Sequence, residues 1–106
     1  MKHQNPIKLK LCMVALEATE EKLKVCSGLR GMYESIRNQL QFLVDYFEEK
    51  HDDLTRFNEL SFGIIAVREI EDSDPEYAKL LKVAFYVASQ TKSRKALSQE
   101  FINEHT

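Results

Sequence analysis

The sequence predicts an all-α fold: a compact bundle of four main helices with a short C-terminal helix or tail. Three observations carry the prediction. Apolar residues recur at spacings of three and four through most of the chain. Glycine and proline are scarce, with three and two among 106 residues, which disfavours a turn-rich sandwich or barrel. The chain also twice sets an Asx residue directly before proline, at Asn5-Pro6 and Asp74-Pro75. An Asx side chain can accept a free N–H of the first turn, and proline lacks an N–H where none is needed. A mass of 12.4 kDa suits one domain over residues 1–106, with a tail from about residue 92.

The first helix opens at Asn5-Pro6, with Asn5 as its cap. Leu9, Cys12, Met13, Leu16 and Leu23 form its apolar stripe, and Glu17, Glu20, Glu21, Lys22 and Lys24 lie mostly off it. Ser27-Gly28 and Gly31 mark a break. The second helix spans about Met32 to Glu49, burying Met32, Tyr33, Ile36, Leu40, Leu43, Val44 and Phe47. Phe42 and Tyr46 point to another side. His51-Asp52-Asp53 connects to a third helix, about Leu54 to Glu71, with either Asp as its cap. Apolar residues lie on two sides of this helix, Phe57, Leu60, Ile64 and Val67 on one and Phe62, Ile65 and Ala66 on the other. That pattern reads as a central, largely buried helix, with a strand over 62–67 as the rival assignment. Gly63 would sit where a neighbouring helix comes close, and Gly63, Ile64, Ala66 and Val67 read as core. Asp74-Pro75-Glu76 starts the fourth helix, which runs to about Gln90 with Tyr77, Leu80, Leu81, Ala84, Phe85 and Ala88 inward. Residues 92–106 have only Leu97, Phe101 and Ile102 as anchors.

Several function classes fall on composition. The longest stretch free of charge is Val83–Thr91, nine residues, against about 18–20 for a membrane span. Lysines at positions 2, 8 and 10 interrupt any export signal, so a cytoplasmic protein is expected. A pI near 5.9 lacks the basic character of a nucleic-acid binder. Cys12 and Cys26, placed on one helix, would stand about 21 Å apart, beyond disulfide reach. The histidines are His3, His51 and His105. A nucleophile–base pair of a cysteine with His51 has no spacing signature behind it. His51-Asp52-Asp53 reads as a turn and cap rather than a metal site. No catalytic group, cofactor site or metal site is predicted.

Charge is unevenly spread. Residues 1–50 carry 8 basic and 7 acidic side chains, residues 51–76 carry 2 and 8, and residues 77–106 carry 5 and 2. The acidic block therefore falls on the third helix and the turn after it. Some of its carboxylates cap helices, but Glu69, Glu71 and Asp72 have no such local duty. An acidic surface of this kind suits a basic protein partner.

The segment Leu60-Ser61-Phe62-Gly63-Ile64-Ile65-Ala66-Val67-Arg68-Glu69-Ile70-Glu71-Asp72-Ser73-Asp74-Pro75-Glu76 resembles a family of small bacterial immunity proteins. These are antidotes to a type VI secretion effector that hydrolyses NAD(P)+. The likeness continues through Leu80-Leu81-Lys82 and Ala84-Phe85-Tyr86-Val87, and extends more weakly to Gln39-Leu40-Gln41-Phe42-Leu43 and Asn5-Pro6-Ile7. It spans about residues 5–95. Cys26-Ser27-Gly28 and the longer C-terminal tail depart from the family. The resemblance implies a helical, non-enzymatic inhibitor that binds the effector toxin domain in the cytoplasm and covers its substrate cleft. Beside it, the residues themselves nominate Arg68, Glu69, Glu71, Asp72 and Tyr77 for the partner-binding surface. The alternative is a helical adaptor or oligomerisation module, in which exposed Phe42 and Tyr46 would bring two copies together as a homodimer.

Overall fold

A computed structural model describes residues 4–105. Met1, Lys2, His3 and Thr106 lie outside the described residues. The described chain is all-α, with four helical stretches and a short C-terminal helix.

Helix α1 spans Asn5–Val25 and α2 spans Arg30–Phe47. They pack along one another and supply Leu11, Cys12, Ala15, Leu16, Ile36, Leu40, Leu43, Val44 and Phe47 to the core. At the start of α1 the cap position belongs to Gln4, not Asn5, and its side chain caps nothing in the helix. The Gln4 amide reaches instead to Leu97, donating to its carbonyl at 3.0 Å and accepting its N–H at 2.8 Å. Met13, expected on the buried stripe, is 38% exposed, and Leu11 and Ala15 take the inward places. The bend between α1 and α2 does use its small residues, but the left-handed step falls on Leu29 (φ 59°) and on neither glycine. Helix α2 therefore starts two residues earlier than its apolar pattern suggests.

The third stretch is where the expected continuous helix fails. Leu54–Glu59 forms a 3-10 helix, the chain is extended at Leu60, and helix α3 occupies only Phe62–Ile65. Ala66–Ile70 then widens into a π-helical turn, with the Glu71 N–H donating to the Ala66 carbonyl at 2.8 Å. The break has an identifiable cause in α2. The Gln39 side-chain oxygen accepts the backbone N–H groups of Ser61 (2.7 Å) and Phe62 (3.0 Å). Its amide nitrogen donates to the Ser61 hydroxyl at 3.1 Å. Those N–H groups are then satisfied without a continuing helix behind them. Asp53 stands at the cap position of the 3-10 helix, but its carboxylate accepts the Thr55 hydroxyl at 2.7 Å and caps no backbone group. No strand forms at 62–67.

The short helix and π turn reverse part of the expected core. Phe62, Gly63, Ala66 and Ile70 are buried, whereas Ile64 and Val67 are each 53% exposed. A widened turn carries more residues per revolution, so the faces rotate away from a spacing of 3.6.

Helix α4 spans Pro75–Lys92 and behaves as expected at its start: Asp74 accepts the Tyr77 N–H at 3.3 Å. It buries Tyr77, Ala78, Leu81, Ala84, Val87, Ala88 and Thr91, with Leu80 and Phe85 half-buried. Gly63 lets α4 approach. A Cβ there would stand 2.4 Å from the Phe85 ring. Helix α5, Gln99–His105, is a docked helix rather than a frayed tail. Leu97 ahead of it is buried and clasped by Gln4, and Phe101 packs on Tyr86 with ring centroids 4.8 Å apart.

Candidate functional site

Three places gather polar or reactive groups. The first is the turn after α2. His51 Nε2 lies 3.1 Å from the Phe42 carbonyl, and Nδ1 accepts the Asp53 N–H at 3.1 Å. Both ring nitrogens are thus used in holding the turn. Phe42 rests on His51 (4.6 Å) and Phe57 (5.6 Å), with the Arg56 guanidinium 4.9 Å from its ring centre. Tyr46 joins the same cluster at 5.0 Å from Phe57. Phe42 and Tyr46 are therefore half-buried against their own chain.

The second is α1, which carries Lys8 and Cys12 in the interior and Cys26 at its part-exposed end. Both cysteines are reduced. Cys12 lies wholly inside the core, and burial pushes its thiol up to about 12, which leaves it protonated and unreactive at neutral pH. Cys26 caps the end of α1 and contacts the Leu23 carbonyl and Arg30. Among the described residues no group of three or more His, Cys, Asp or Glu could hold a metal ion. Nor is any described helix long and apolar enough to cross a membrane.

The third is the face built by α3, the π turn and α4. Arg68, Glu69 and Asp72 are exposed along the π turn and its exit. Glu71 is half-buried and ion-paired with Lys82 of α4, so it does have a local duty that the sequence did not reveal. Tyr77 does not share this surface. It is 3% exposed, because the first turn of α4 points it at α1. There its hydroxyl meets Thr19 Oγ1 at 2.8 Å, while the Thr19 hydroxyl donates to the Ala15 carbonyl at 2.8 Å. Burial pushes the Tyr77 phenol up to about 12. Lys22 lies over the Tyr77 ring and pairs with Asp74, and the bond from Lys22 holds the Asp74 carboxyl below its usual range. These contacts tie α1 to α4 and account for Tyr77 without a partner.

What the sequence reading missed on this face is apolar. Gly63, Ile64, Val67, Phe85 and Tyr86, together with Arg68, Lys82 and Ser89, line a groove of about 480 Å³, open to solvent. The signal was present in the run Phe62-Gly63-Ile64-Ile65-Ala66-Val67, but a regular helix assigns Ile64 and Val67 to the core.

The described residues thus form an all-α domain with an apolar groove on its surface, beside side chains held in plain structural duties. The model of the Tsi6 family matches residues 8–90, and the chain belongs to that family. It is 35% identical over 57 residues to the immune protein Tsi6 of Pseudomonas aeruginosa, an alignment covering 54% of this chain. That alignment spans 61% of the relative's own length. The fold is also similar to a chain in the solved structure of Tse6 in complex with Tsi6. The TM-score is 0.78 at 27% identity, over 84% of this chain and 94% of that one. The matching family carries the name of that immune protein. Helix α5 lies beyond the matched residues.

Proposed function

We propose that this chain is an immunity protein. It binds a cognate antibacterial toxin in the cytoplasm and occludes the toxin's active site. The toxin is an NAD(P)+-hydrolysing type VI secretion effector, so occlusion keeps the dinucleotide out. The observation that carries the reading is the family match over residues 8–90, strengthened by the likeness to a chain from a complex of Tse6 with Tsi6. The face at Ile64–Asp72 supports it physically. Exposed apolar side chains there give a partner something to bury, and Arg68, Glu69 and Asp72 around them give it a charge pattern to match.

The test is co-expression with the toxin encoded by the neighbouring gene while cellular NAD+ is followed. Cells carrying both genes should keep their NAD+ and their growth, and cells carrying the toxin alone should lose both. Protection no better than an empty vector would remove the reading. Protection with NAD+ constant in the toxin-only culture would keep the immunity role and change the toxin's chemistry.

A further inference from the structure

We infer that the groove between the π turn and α4, rather than the acidic residues beside it, supplies most of the binding energy for the toxin, and that it takes an apolar anchor carrying a neighbouring carboxylate. This rests on the immunity reading above and goes further by naming the chemistry of the contact.

The groove is lined by side chains that pack against one another. Its floor is the Phe85 ring, pressed against Gly63 and set edge-on to Phe62 at 5.2 Å between centroids. Its far wall is Tyr86, braced from behind by Phe101 of α5. Its near wall is Ile64 and Val67, each 53% exposed, and Tyr86 is 41% exposed. Contiguous apolar side chains left in water are one feature of surfaces that another molecule covers. The groove is also open to solvent along its length. A small molecule is normally enclosed over most of its surface, whereas a side chain presented on a second protein brings its own cover.

Charge selects the occupant. Lys82 and Arg68 both belong to the lining of the groove. Lys82 is already neutralised by Glu71. Arg68 has no acidic partner among the described residues, although Asp72 lies one turn away. A guanidinium held at the lip of an apolar groove favours a carboxylate, which it can engage through two parallel hydrogen bonds. A toxin segment with an apolar side chain in the groove and Asp or Glu beside it satisfies both conditions. Glu69 and Asp72 lie outside this centre, on the rim, where charge mainly steers the approach.

The experiment compares full-length wild type, Val67→Glu and Arg68→Glu for binding to the catalytically inactivated toxin domain, with circular dichroism on each. Val67 and Arg68 are exposed, so the variants should fold as wild type does. Val67→Glu should weaken binding by about thirtyfold or more, as for a central anchor contact, chiefly through faster dissociation. Arg68→Glu should weaken it by a smaller factor. Hydrogen exchange on the wild-type complex should show protection at residues 62–68 and 82–89. If wild type binds while both variants bind equally well and those segments stay unprotected, the groove is not the contact and the immunity reading stands. If wild type does not bind, both readings fall.

Discussion

Lys8 is 1% exposed, and its ammonium donates to the Thr91 hydroxyl at 3.0 Å, with the Phe47 ring 5.9 Å away. Thr91 passes the bond on to the Val87 carbonyl at 2.9 Å, so its hydroxyl keeps a partner even without the lysine. Burial of the charge lowers the Lys8 pKa from 10.5, against a smaller opposing effect of Cys12. A lowered lysine binds its proton more weakly folded than unfolded. Its penalty is therefore full below the folded-state pKa and fades as pH rises through that pKa toward 10.5. Lys8→Met removes the charge but keeps the aliphatic stem. We expect the variant to be more stable than wild type at pH 7 by about 1 kcal/mol. The gap should narrow toward pH 10 as Lys8 loses its proton, and the contribution of Tyr77, in which Lys8 has no part, cancels in the difference. Urea unfolding of the two proteins at both pH values reads this directly. A less stable variant at pH 7 would mean that the bond to Thr91 and the Phe47 contact outweigh the cost of burying the charge.

At the level of elements, the helices with strong local punctuation were legible. Asp74-Pro75 opens α4 because cap and proline act within one turn, and that signal needs no distant partner. The apolar set of α2 was also legible, since Ile36, Leu40, Leu43, Val44 and Phe47 all face the core. The stretch from Leu54 to Glu71 was not, because its break is made by a residue 22 positions away: Gln39 holds Ser61 and Phe62 from another helix. A periodicity argument cannot see such a bond. The same blindness hid the groove, because a helix interrupted at Leu60 and widened at Ala66 no longer turns Ile64 and Val67 inward. Gly63 was read for its true reason, the close approach of α4. Gln39→Ala tests the account. It removes the acceptor of two part-buried backbone N–H groups and should cost about 1–3 kcal/mol, with faster hydrogen exchange centred on residues 60–66. A loss spread evenly over the protein, with no local exchange, would show that Gln39 only fills space.

For the molecule as a whole, the surface that the sequence located by charge is divided in function by the structure. Of the five residues expected to meet a partner, Arg68, Glu69 and Asp72 stand on one exposed face, Glu71 is tied to Lys82, and Tyr77 is inside. Glu69 and Asp72 are thus the free acidic charge of the π turn and its exit, in a region with 8 acidic and 2 basic side chains. Their field reaches about a Debye length, roughly 8 Å at physiological salt, which acts on a partner before any side chain touches. Reversing both, Glu69→Lys with Asp72→Lys, should therefore slow association with the toxin by about tenfold at low salt and leave dissociation nearly unchanged. The difference from wild type should shrink as salt is raised. Val67→Glu should do the opposite, hastening dissociation. Surface plasmon resonance across a salt series separates the two patterns. If the double reversal instead hastens dissociation at every salt concentration, Glu69 and Asp72 lie within the contact, and the boundary between steering rim and anchoring groove must be redrawn around them.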